Sequence, residues 1–170
     1  MTAVVYDAGM LIHLEQGRKK AVHLHREILQ RGGHRPIVPL PVLGQVWRPG
    51  AGNYTRLKPV LAGCTVYAAR DSRTPLFGAK GWDDALHACR PCVAGHTEAD
   101  GKRVGALGAR AKLPAKKNFD VVNALVLVIA AHHGRALVVT SDLDDLLAYR
   151  EALGEHQIGI CHPDAPQRIL

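Results

Sequence analysis

Short apolar runs alternate along this chain with longer stretches whose apolar residues recur at helical spacing. Ala3 to Tyr6 is a strand-like run that ends at Asp7 and turns through Ala8-Gly9. In "GRKKAVHLHREILQRGG" the spacing of Ala21, Leu24 and Ile28, closed by Gly32-Gly33, predicts an amphipathic helix. "RPIVPL" predicts a second short strand. "PVLGQVWR" predicts a helix that opens on Pro41, a residue suited to a first helical turn. "NYTRLKPVLAG" predicts another short helix, and "CTVYAA" a third strand.

Residues 70–96 lack this regularity; rich in Gly, Pro and charge, they are expected to form an insertion of loop and short helix. Thr97-x-x-Asp100 then makes a capping box that opens a helix over "TEADGKRVGALGARA". "KLPAKKN" is a basic loop. "FDVVNALVLVIAAHHG" is apolar nearly all round, so it predicts a buried helix, capped by Asn118 and stopped by Gly134. "ALVVT", "DDLLAYREAL" and "QIGICH" predict a strand, a helix and a last strand. Strands alternating with helices in this way predict a single α/β domain with a mostly parallel sheet of four or five strands.

In such sheets, sites form outside the carboxyl ends of the strands. Asp7 and Asp142 both stand at such ends. After the run Ala136 to Val139 come three carboxylates in four residues: Asp142, Asp144 and Asp145. They have a structural reading, because Ser141-x-x-Asp144 fits a capping box and acidic residues favour a helix N-terminus. Asp120 has the same reading in the first turn of its helix. They also have a functional one: Asp7, Asp120 and Asp142 converge if their strands are neighbours. Carboxylates held that close repel one another unless a cation joins them. Oxygen ligands without Cys or His suit Mg²⁺ or Mn²⁺. The net charge of +7 suits an anionic partner such as nucleic acid, and the combination suits metal-assisted cleavage of a phosphodiester.

The segments "VVYDAGMLIHL", "VPLPVLGQVWR", "FDVVNALVLVIAAHHG" and "ALVVTSDLDDL" stand in the order and at the places they occupy in PIN-domain proteins. The chain thus resembles that family, closest to the VapC-like toxin ribonucleases of bacteria, over residues 1–65 and 97–150. The resemblance implies a PIN-like fold and a Mg²⁺- or Mn²⁺-dependent ribonuclease, the toxin of a toxin–antitoxin pair. It implies RNA as substrate, a small antitoxin protein as partner, and a homodimer. Asp7 matches the family's first acid and Asp142 the acid of its T-x-D motif, with Asp144 or Asp145 near a further acid. The second and third acids fall on Gln45 and Asn123, which keep the oxygen and lose the charge. Asp120 lies three residues before Asn123 on the same helix face and offers a replacement charge. The metal ligands expected are therefore Asp7, Asp120, Asp142 and Asp144, with Gln45 and Asn123 orienting water or ligand oxygens. A buried Asn123 amide is also expected to be paired with backbone. The rival reading is a degenerate PIN domain that binds RNA or a partner protein without cutting.

Other features bear on partners. Lys102, Arg103, Arg110, Lys112, Lys116 and Lys117 precede the buried helix and form either a phosphate-binding surface or a solvated face. Trp47, beside Arg48, is expected in the core, with base stacking the alternative. His87, Cys89, Cys92 and His96 have a spacing that zinc accepts, against a reading as ordinary reduced cysteines. No stretch is apolar and long enough to span a bilayer, and "MTAVVYDAG" has no secretion-signal pattern. A cytoplasmic location is expected, with the four cysteines as free thiols.

Overall fold

A computed structural model describes residues 2–31, 35–47, 54–67 and 96–165. Five strands, β1 (Ala3–Tyr6), β2 (Ile37–Pro39), β3 (Thr65–Tyr67), β4 (Ala136–Val139) and β5 (Ile158–Cys161), form one sheet in the order β3-β2-β1-β4-β5. Every pairing is parallel, as the strand–helix alternation predicts. The described helices are α1 (Ala8–Glu15), α2 (Lys19–Arg31), α3 (Leu40–Val46), α4 (Tyr54–Ala62), α5 (Glu98–Arg110), α6 (Val121–Ala131) and α7 (Leu143–Leu153).

Helix α6 forms the centre of the fold. Its residues Asn123 to Ala130 are all buried, and it packs against β1, β2, β4 and β5. An all-round apolar surface of this kind is stable only when covered on every side, and α5 and α7 cover what the sheet does not. Strand β4 is buried at all four positions, which explains its unbroken apolar run.

Local chemistry corrects three expectations about helix starts. The cap of α6 is Asp120, which accepts from the N–H groups of Val122 and Asn123 at 2.7 and 3.1 Å, so Asn118 lies outside the helix. Helix α7 starts after Asp142, whose side chain makes no capping bond, and the Ser141–Asp144 box does not form. Helix α1, where only a turn is expected at Ala8-Gly9, begins directly after β1 because Asp7 accepts from the N–H of Met10 at 2.8 Å. The Thr97–Asp100 box of α5 is present in both directions. Trp47 is 42 % exposed at the end of α3 instead of in the core. The expected insertion and its candidate zinc residues His87, Cys89 and Cys92 lie outside the described residues, and His96 is within them. Cys64 and Cys161 are buried free thiols. Among the described residues no helix is long and apolar enough to cross a membrane.

Candidate functional site

The sheet register builds the site. Ala3 to Tyr6 of β1 pair one-to-one with Ala136 to Val139 of β4, so the next residues, Asp7 and Thr140, leave the sheet side by side. The chain remains paired just beyond the strands: Asp7 N–H donates to Val139 O at 3.3 Å, and Thr140 N–H to Cys161 O at 2.9 Å. Thr140 is fully buried and Asp7 nearly so. The Thr140 hydroxyl donates to Asp7 Oδ2 and accepts from the Asp142 N–H at 2.8 Å. One hydroxyl thus ties the Asp7 carboxylate to the backbone of Asp142.

The turn after β4 also leans on α1. A Cβ on Gly9 would lie 2.8 Å from Ser141 N and 2.9 Å from Ser141 Cβ, so only glycine lets the two segments approach this closely.

Burial raises the Asp7 carboxyl from 3.8 to about 6. The hydrogen bonds from Thr140, Met10 and Gly9 pull it down, and the negative charge of Asp142 adds to the rise. Asp7 and Asp142 therefore stand within electrostatic reach of each other.

The second carboxylate that meets Asp142 is Asp145, one turn into α7. Lys117, from the loop between α5 and α6, holds the pair together. Its Nζ lies 3.1 and 3.2 Å from the two oxygens of Asp142 and 3.3 Å from Asp145 Oδ2. Asp145 is buried, and its Oδ1 has no hydrogen-bond partner. Burial and the neighbouring Asp142 charge hold the Asp145 carboxyl above the usual carboxylate range, against the pull of Lys117. The same hydrogen bonds push the Lys117 ammonium above its ordinary value.

Tyr149 of α7 connects Asp120 to this cluster. Its hydroxyl oxygen accepts from the Asp120 N–H at 2.9 Å, and its ring meets Phe119 edge-on with centroids 5.6 Å apart. Burial pushes the Tyr149 hydroxyl up, and the charges of Asp145, Asp120 and Asp142 add to this. Asp120 uses Oδ1 for both capping bonds and leaves Oδ2 out of them.

The other expected residues stand differently. Asp144 is exposed and lines a cleft of about 570 Å³ with Arg110, Lys112, Leu147 and Glu151. Gln45 is exposed on α3, and no described bond joins it to the carboxylates. Asn123 is buried, and its side-chain amide makes no hydrogen bond to a described residue, contrary to the backbone pairing expected of it.

The basic residues divide likewise. Lys102 pairs with Glu98 on its own helix at 2.7 Å, Arg110 Nε donates to Ala106 O, and Lys117 alone of the six reaches the carboxylates.

Thr140 and Tyr149 are the members of this arrangement to which sequence reasoning gives no role. Lys117 is expected only as part of a basic surface. Of Asp144 and Asp145, either of which could stand near a further acid, Asp145 is the one that joins the cluster. The "TSD" triplet was the available signal for Thr140. Lys117 carries no local signal, because its partners lie 25 and 28 residues away.

Among the described residues, no group of three or more His, Cys, Asp or Glu side chains is placed to hold a metal ion. The chemistry nevertheless fits a hard cation. The donors are oxygens, Asp145 Oδ1 is buried without a partner, and a side-chain ammonium already sits between two carboxylates. Comparison of the chain with protein-family models, with curated proteins and with solved structures returned no match.

Proposed function

We propose that the chain is a Mg²⁺- or Mn²⁺-dependent ribonuclease of PIN type, with its site at the carboxyl ends of β1 and β4. The observation that supports this most is the Thr140 bridge, which places Asp7 and Asp142 at adjacent strand ends with Asp145 beside them. Asp7, Asp142 and Asp145 would have to draw together around the ion, since among the described residues no three such side chains are already placed to hold one. When bound, it would supply a polarised water for attack on phosphorus and charge stabilisation for the leaving 3′-oxygen. Thr140 orients the Asp7 carboxylate. Asn123 offers a buried amide whose oxygen and N–H groups are uncommitted. The net charge of +7 favours a polyanionic substrate. The toxin role, the antitoxin partner and the homodimer belong to this reading through the family resemblance, and the cytoplasmic location through the sequence pattern alone.

A second reading has a specific observation in its favour. Lys117 already offsets part of the negative charge of Asp142 and Asp145, and Gln45 and Asn123 add none where the family has acids. This favours a PIN domain that binds RNA without cutting.

A cleavage assay on end-labelled RNA, titrated with Mn²⁺ and with chelator, decides between them. The ribonuclease reading expects metal-dependent cutting that Asp7→Asn and Asp142→Asn each abolish. RNA retention without cutting at any Mn²⁺ concentration supports the binding reading. Cutting that survives Asp142→Asn sinks the site assignment.

A further inference from the structure

The loop between α5 and α6 has an unusual backbone for a stretch of polar residues. Lys116 is the one described non-glycine residue at positive φ, +71°. A side chain in that region is disfavoured, and such strain persists only where the surroundings hold it. The Lys117 N–H donates to Pro114 O at 3.1 Å and closes the turn. Together these features direct the Lys117 side chain onto Asp142 and Asp145.

The ammonium bridges the two carboxylates: Nζ lies 3.1 and 3.2 Å from the two oxygens of Asp142 and 3.3 Å from Asp145 Oδ2. Asp142 is free to take part because it makes no capping bond to α7. The two carboxylates differ in what they need: Asp142 is 37 % exposed, whereas Asp145 is 4 % exposed and has no other counter-charge among its described contacts. Lys117 itself is 43 % exposed, so its ammonium returns to water at little cost.

We propose that Lys117 is a tethered cation that closes the carboxylate site and sets the divalent-ion concentration at which that site fills. This rests on the metal-site reading above and adds a competitor to it. The charges compete: a divalent ion on these oxygens would stand beside the ammonium already bridging them, and two cations that close repel. The doubly charged ion gains more from the pair and prevails once it is concentrated enough. Lys117 then swings to solvent from a loop already wound to present it.

The test measures Mn²⁺ binding calorimetrically in the parent chain, in Lys117→Met and in Lys117→Arg. Methionine keeps much of the alkyl stem and removes the competing charge. Lys117→Met should bind Mn²⁺ about tenfold more tightly, as expected when one weak competing ion pair is removed, and Lys117→Arg should stay close to the parent. A second readout uses the unaltered protein: the NMR signal of the isotopically labelled Lys117 Nζ should move toward that of a free lysine as Mg²⁺ is added. Equal, measurable Mn²⁺ affinity in parent and Lys117→Met, with a Lys117 signal that ignores Mg²⁺, overturns the competitor role and leaves the metal site standing. Absence of Mn²⁺ binding in all three proteins overturns the metal site and the competitor with it.

Discussion

Thr140 donates its hydroxyl proton to Asp7 Oδ2, joining the residue after β4 to the residue after β1 inside the protein. The Thr140 hydroxyl oxygen receives the Asp142 N–H, so this side chain is satisfied as donor and as acceptor. Thr140→Val keeps the shape and removes both bonds. It leaves a buried carboxylate oxygen and a backbone N–H short of partners, at a cost of about 1–3 kcal/mol. Thr140→Ser should recover most of the loss. Urea unfolding of the three proteins checks this, and a Thr140→Val chain as stable as the parent would show the bridge to be energetically idle.

The raised carboxyl of Asp7 makes a prediction about pH. Its folded value, about 6, lies above the unfolded 3.8, so between these values the folded chain binds more protons than the unfolded one. Stability from this group is complete below about pH 4 and is lost as pH rises through 6. The loss amounts to about 3 kcal/mol for a shift of this size. Asp7→Asn lacks the titration. In chelator, its stability relative to the parent should therefore grow by about that amount between pH 4 and pH 7. A difference that stays constant with pH would remove burial as the controlling influence on Asp7.

Gly9 supplies a steric test. An alanine Cβ there would stand 2.8 Å from Ser141 N, a backbone atom that cannot rotate away. Gly9→Ala should force α1 and the turn after β4 apart, at about 1–3 kcal/mol. It should also weaken Mn²⁺ binding, because Asp7 and Asp142 lie on either side of that contact. Thermal melts and calorimetry together read both effects, and an undisturbed Tm would mean the turn yields freely.

The residues differ in how openly they announced these roles. The β1, β4 and α6 runs are apolar because the sheet and its central helix are covered on all sides, so periodicity alone identifies them. The paired strand ends follow from the strand order, which puts β1 beside β4; the sequence alone leaves open whether those two strands are neighbours. Helix α1 is less obvious, because Asp7 both ends a strand and caps a helix with no loop between. Asp144 and Asp145 are adjacent and chemically identical. Only the rotation of α7, which turns Asp145 inward and Asp144 toward the cleft, tells them apart. Lys117 is one of six basic residues in a row of similar ones, and its role depends on a backbone turn at Lys116 that composition does not signal.

The strand order has a consequence for the making of the protein. β1 sits between β2, which follows it closely, and β4, so Asp7 and Thr140 are separated by 133 residues. At about 5–20 residues per second, a ribosome takes roughly 7–27 s to supply the second after the first. Throughout that interval β1 has one open edge, of the kind that pairs with stray strands. Closing it late, through a contact so distant along the chain, is the slow kind of folding step. A chain halted before residue 136 carries three of the five strands and no carboxylate cluster.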